Sequence, residues 1–321
     1  MNRGGVQGAK RSVVRALASR GLGRHELAHA IAPEPPAPGR ARLNGLCRPD
    51  YWGDPEWRGF GRALALPQDE GWYHRKAWEW TQCVYGLERL GALGPDKLAL
   101  GVGAGHERVL YYLANRARAA VATDLYGGDF AGGEAQEATP DFLRDPAHFA
   151  PFAFARQRLL AMPADGLALP FRTGTFDAVY SLSSIEHFGG HAQAAGAVRE
   201  MCRVLRPGGV ACVATELVLV GGPHEAYFTW EEFDRYVVKA AGLVLVEPLD
   251  TTLPPPEMLE EPVRLPEQVS RAPHVVVQEG STVFTSVCAF LRKPTDAELL
   301  AQAARRAGGR ARSAGGLVRR R

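Results

Sequence analysis

Apolar residues recur through the middle of the chain in short blocks that switch between two periods. Lys97–Val102, Ala119–Thr123, Arg158–Met162, Phe176–Ser181, Val210–Thr215, Leu243–Val246 and Val283–Leu291 read as buried strands. Gly105–Ala117, His191–Leu205 and Thr229–Ala241 carry the three-to-four-residue spacing of amphipathic helices. Strand and helix alternating in this way predict a mostly parallel sheet covered by helices. Upstream, Trp72–Leu93 predicts a further helix, with Trp78, Val84, Leu87 and Leu90 apolar and Gly94-Pro95 as its stop.

Other stretches lack a period. Residues 43–70 hold Tyr51, Trp52, Trp57 and Phe60 without regular spacing and are expected to drape over the main body. The glycine-rich connection Tyr126–Phe142 is longer than a usual strand-to-helix loop and reads as an insertion. Residues 248–282 contain seven prolines and are expected to form a long loop or lid. The Pro-rich 32–39 reads as an extended linker. The domain plan expected is therefore a flexible basic arm over 1–42, a cap with lead-in helix over 43–96, a core over 97–292 and a disordered basic tail over 293–321.

Composition adds one feature. The net charge of +3 over 321 residues hides an asymmetry, because 1–42 and 293–321 each hold eight basic and two acidic side chains. The body between them carries −9, so this is not a uniformly basic nucleic-acid binder. A hydrophobic fraction of 46% is ordinary for a folded enzyme-like chain. No apolar run approaches the roughly 18 residues of a membrane span. Five scattered cysteines without a CxxC or Cys/His pairing suggest neither a disulfide framework nor structural zinc, and a cytoplasmic setting is expected.

The candidate chemistry starts at Gly101-Val102-Gly103-Ala104-Gly105, between a strand and a helix. Glycines there allow a tight turn and the close approach of a ligand, and the helix start offers free N–H groups. A dinucleotide fingerprint needs its third glycine at position 106, which is His106. Asp124 ends the second strand, placed to accept the hydroxyl protons of a ribose, with Leu125 beside it. Ala164-Asp165-Gly166, past the third strand, can hold an adenine. The fourth strand ends in small polar residues, Ser181 and Ser183, where the crevice of a doubly wound sheet opens.

These features, with Leu169-Pro170-Phe171, Phe176-Asp177 and Glu200-Met-Cys-Arg-Val-Leu-Arg-Pro-Gly-Gly209 in order, resemble the class I S-adenosylmethionine-dependent methyltransferases over about 75–292. The similarity is greatest to bacterial enzymes of polysaccharide and secondary-metabolite biosynthesis, through the Gly-Val-Gly-Ala-Gly-His-Glu loop. The resemblance implies a Rossmann-like, doubly wound seven-stranded sheet with an antiparallel last strand, an N-terminal helical or irregular extension, and S-adenosyl-L-methionine as cofactor. It makes Asp177 structural. It also exposes a departure, since the acidic residue often found two positions before the first glycine is Ala99 here. Glu107 either takes over the cofactor's ammonium or serves the helix dipole.

For an oxygen acceptor, His187, Glu186 and His224 are the candidate bases. An Asn/Asp-Pro-Pro-Tyr loop for base-amine methylation is absent, and no cysteine follows proline as carbon methylation of pyrimidines commonly requires. The expected acceptor is a small molecule or glycan hydroxyl rather than nucleic acid, with oligomeric state left open. The alternatives are an RNA or protein methyltransferase, a catalytically silent cofactor-binding module that recruits a partner, and a nicotinamide oxidoreductase, which the glycine spacing disfavours.

Overall fold

The computed structural model describes residues 40–127 and 138–298. Ten strands form one sheet: β1 (Gly45–Leu46), β2 (Leu98–Val102), β3 (Ala119–Asp124), β4 (Leu159–Pro163), β5 (Phe176–Leu182), β6 (Leu205–Val220), β7 (Val244–Leu245), β8 (Val263–Leu265), β9 (Val277–Glu279) and β10 (Thr282–Arg292). Their order is β4-β3-β2-β5-β6-β10-β9-β8, with β1 and β7 also on β10. β2 through β6 pair in parallel, whereas β10 runs antiparallel to β6. The Rossmann-like class and the antiparallel last strand are as expected; the count of seven is not. The outer edge of β10 explains the difference. β7 covers only Leu291 and Arg292, so β1 and β9 satisfy the backbone groups farther along, and β8 extends the sheet beyond β9.

Helices α1 (Pro55–Ala63), α2 (Arg75–Arg89), α3 (Arg108–Arg116), α4 (Asp141–Arg144) and α5 (His191–Val204) cover the sheet. α2 lies close against β10, because Gly86 has no side chain where a Cβ would sit 2.1 Å from the Phe290 ring. Its buried Trp78, Val84 and Leu87 belong to the same core as Phe290, Leu100 and Val213. Residues 43–70 are more than a draped segment. Asp54 caps α1 by accepting from the Glu56 and Trp57 amides, and Trp57 is fully enclosed and donates to Gln82. The Pro-rich 248–282 likewise contains a short helix, Pro256–Glu260, besides β8 and β9. The predicted helix at 229–241 is a short α-turn, Trp230–Glu232, continuing as a π-turn over Phe233–Val238.

The basic blocks are shorter than their composition suggests. The Ala41 amide donates to Asp54, and the Lys293 ammonium donates to the Cys202 and Leu205 carbonyls, so 40–42 and 293–298 are packed parts of the body. The remainder of the predicted arm and tail, and most of the 126–142 insertion, lie outside the described residues. Among the described residues no helix is long and apolar enough to cross a membrane, and no group of three or more His, Cys, Asp or Glu is placed to hold a metal.

β6 positions the site. It runs past its last pairing with β5, Leu182 against Ala214, and continues with β10 as a ribbon to Val220. That extension projects Thr215 and Glu216 beyond the ends of the parallel strands, where the crevice lies.

Candidate active site

The glycine loop turns between β2 and α3 with Gly103 and Gly105 at φ +62° and +45°, a region costly for other residues. A Cβ on Gly103 would lie 2.7 Å from that of Ser184, and one on Gly166 would lie 2.5 Å from the Phe188 ring. Val102 stands between them, 3.1 Å from the Gly166 position. The loop, the Ala164–Gly166 turn and the end of β5 are thus drawn together around Val102 and Phe188. Asp124 joins them. Its Oδ2 accepts from the Gly105 amide at 3.0 Å and its Oδ1 from the Leu125 amide at 2.7 Å. Burial nevertheless raises its pKa, against the pull of those backbone donors. Each oxygen keeps further lone-pair capacity. Leu125 is 56% exposed beside the half-buried carboxylate.

Other predicted residues are placed less simply. Asp165 is exposed, with Oδ1 accepting from the Leu167 amide to close its own turn. Ser181 is buried and its hydroxyl donates to the Val102 carbonyl, locking β5 to the glycine loop. Ser183, at φ +46°, donates to Glu79 of α2. Glu107 makes no side-chain cap on α3. It interacts with the buried Tyr180 phenol, whose pKa is pushed far up by burial first and by Glu107 next. Glu107 also lines a cavity of about 210 Å³ with Trp80, His106, Arg108, Phe149 and Pro151. Asp177 is structural, as expected: it accepts from the Leu98 amide and pairs with Arg206 and Lys97 at the opposite ends of the strands.

Around the candidate bases lies a buried charge cluster that sequence reading missed. Arg75 at the start of α2 reaches Glu216 Oε1 at 2.5 Å and Glu79 Oε1 at 3.3 Å. Lys76 Nζ lies 3.3 Å from Glu79 Oε2, and Ser286 of β10 donates to Glu79. Thr215 donates to Glu186 Oε2 at 2.9 Å. Burial, and then the charge of Glu216, raise the Glu186 pKa well above the carboxylate range. Both effects favour its protonated form, which makes it a poor resting base. His187 follows it on the same 3₁₀ turn, exposed at the rim. Partial desolvation lowers its pKa, opposed by Glu216 and reinforced by Lys76 and Arg75. The lowered pKa favours the neutral imidazole. His224 sits on a separate loop, stacked on Tyr227 at 4.1 Å, and its Nδ1 already accepts from the Ala226 and Tyr227 amides. The signals available for the missed cluster were faint: Glu79 between Trp78 and Trp80, and Glu216 in the run Cys212–Val220, where only it and Thr215 are polar.

Residues 100–213 match the family described as Methyltransferase domain. Two curated relatives match over short stretches. One is the human protein named "Probable tRNA methyltransferase 9B", 49% identical over 49 residues, which are 15% of this chain and 11% of that protein. The other is "tRNA (carboxymethyluridine(34)-5-O)-methyltransferase alkbh8" of Xenopus tropicalis, 42% identical over 53 residues, 16% of this chain and 8% of that protein. The chain thus spans about a tenth of the length of these relatives. Among solved structures, the [4+2]-cyclase SpnF aligns with a TM-score of 0.47 at 17% identity, over 74% of this chain and 93% of that one. The Burkholderia thailandensis 1,6-didemethyltoxoflavin-N1-methyltransferase aligns with a TM-score of 0.40 at 16% identity, over 76% and 81%. The domain match and the ordered motifs define a class I S-adenosylmethionine-dependent methyltransferase domain. S-adenosylmethionine is the cofactor of that class, and the left-handed turn at Gly103 and Gly105, with the Asp124 carboxylate on the Gly105 amide, offers backbone amides and an acceptor that suit its aminoacyl and ribose portions.

Proposed function

We propose that the protein methylates a hydroxyl of a small-molecule or saccharide acceptor, with His187 receiving the proton. The observation that carries this reading is the Gly103–Ser184 contact, which abuts the cofactor loop on the acceptor-side cluster with a neutral imidazole at its rim. When bound, S-adenosylmethionine supplies an electrophilic sulfonium methyl. Asp124 would hold the ribose hydroxyls through its spare lone pairs, with Leu125 and the Ala164–Gly166 turn bounding the adenine. Gly101, Val102, Gly103 and Gly105 provide the backbone approach, and Glu107 stands at the far end of the loop. Ser181 and Ser183 hold the wall of the crevice rather than the cofactor.

For the acceptor, the chain's work is alignment, exclusion of water and removal of one proton. Within that alignment His187 would take the hydroxyl proton that the acceptor oxygen gives up on methylation. His224 lies behind Tyr227 and serves the loop. An RNA acceptor is the second reading, favoured by the short matches to two tRNA methyltransferases.

Radiolabelled methyl transfer from S-adenosylmethionine to fractionated cell extract separates these readings. Label in the small-molecule or glycan fraction is expected. Label confined to RNA or protein would replace the acceptor, and cofactor binding without any label would leave a silent binding module.

A further inference from the structure

The buried cluster holds three carboxylates and two cations. Glu186 and Glu216 are 2% and 3% exposed. Glu186 Oε2 is satisfied by Thr215, and Glu216 Oε1 by Arg75, with Lys76 Nζ at 3.9 Å. The remaining oxygens, Glu186 Oε1 and Glu216 Oε2, are buried with no hydrogen-bond donor among the described residues. Thr215, which bonds Glu186, is followed directly by Glu216 in β6, and each carboxylate acts on the ionisation of the other. Two ionised carboxylates cannot share such a space, and one proton between them satisfies both orphan oxygens at once.

We propose that Glu186 and Glu216 share one proton, and that the resulting carboxyl–carboxylate bond is a positioning device that ties the Ile185–His187 turn to the β6 extension and so aims His187 at the acceptor. The charges agree. With Glu186 neutral, Arg75 and Lys76 are balanced by Glu79 and Glu216, so the buried cluster carries no net charge. Arg75 and Lys76 also explain which member ionises, since both face Glu216, and its carboxyl is held far below the usual range despite burial. The groups facing the pair come from every neighbouring element: Arg75, Lys76 and Glu79 from α2, Ser183 from the end of β5, Thr215 from β6, Ser286 from β10, and His187 at the rim. Glu186 touches no acceptor in this scheme. The assignment of His187 as proton acceptor belongs to the proposed function, on which this inference rests.

The pair can be tested without knowing the acceptor. Infrared difference spectra of wild type against Glu186→Gln at neutral pH should show the loss of a protonated-carboxyl C=O band. Loss of an ionised-carboxylate band instead would overturn the proposal. Glutamine mimics the protonated acid and can donate to Glu216, so Glu186→Gln should keep both the melting temperature and the NMR titration midpoint of His187. Glu186→Ala should lower the melting temperature and shift that midpoint. A Gln variant that behaves like the Ala variant would also refute the pair, and if the Ala variant does not fold, the spectrum and the Gln variant still decide. A protein that shows the band but transfers no methyl group would contradict the function and leave the pair standing.

Discussion

Gly103 and Asp124 set the terms at the scale of single residues. An alanine at 103 would bring its Cβ within 2.7 Å of Ser184 in a left-handed conformation that itself costs about 1–2 kcal/mol. Gly103→Ala is therefore expected to weaken S-adenosylhomocysteine binding by roughly tenfold or more in a calorimetric titration. Unchanged affinity would show that the loop does not meet the cofactor there. Asp124→Ala removes a half-buried acceptor oriented by the Gly105 and Leu125 amides, and should weaken binding by at least about tenfold. These two positions were legible because each needs only local information, a glycine spacing and a carboxylate at a strand end. The Arg75–Glu216 and Glu79–Ser286 contacts were not. They join residues 141 and 207 positions apart, and the fold alone decides that they meet. Glu186 was legible as a candidate, but the rise in its pKa was not, because burial and then Glu216 across the cluster impose it.

At the scale of elements, the start of α2 is clasped by the Pro-rich segment. The His274 amide donates to the Tyr73 carbonyl at 2.7 Å, the Arg75 amide donates to the His274 carbonyl at 2.8 Å, and the His74 and His274 rings stack at 4.4 Å. Burial lowers both imidazoles to about 4, with Arg75 and, for His274, the neighbouring His74 adding to the effect. A histidine with a depressed pKa in the fold contributes stability above its unfolded value near 6.5, and that contribution is lost as pH falls toward 4. Denaturant midpoints should fall steadily across this window. Both nitrogens of His274 are buried without a hydrogen-bond partner among the described residues. His274→Phe keeps a ring in the stack and removes one titrating group, so stability at pH 7 should change by less than about 1 kcal/mol while the acid loss becomes shallower. An equally steep acid loss in that variant would place the titrating group elsewhere. Sequence periodicity found every long strand and the helices between them, yet read 248–282 as loop. β8, β9 and the clasp are held by partners in β10 and α2 rather than by a pattern of their own.

On the scale of the whole molecule, the charge asymmetry separates from the chemistry. The acidic body contains every residue of the proposed site, and the basic excess lies mainly in 1–39 and 299–321. Removing 299–321 is expected to leave S-adenosylhomocysteine affinity unchanged within about twofold. A large loss would show that this segment takes part in the site. The Arg292–Glu298 pair and the Lys293 contacts mark where such a truncation should stop. The mostly parallel sheet covered by helices was readable because it depends on the order of apolar blocks. The acceptor is not written there, since it is chosen by side chains that three distant elements bring to one crevice.

The central claim is that the glycine loop, Asp124 and the 164–166 turn form a site for S-adenosylmethionine. Calorimetry on the full chain tests it most directly, with S-adenosylhomocysteine and NAD titrated separately. Saturable, one-to-one binding of S-adenosylhomocysteine with no heat from NAD is expected; binding of NAD without S-adenosylhomocysteine would overturn the cofactor site.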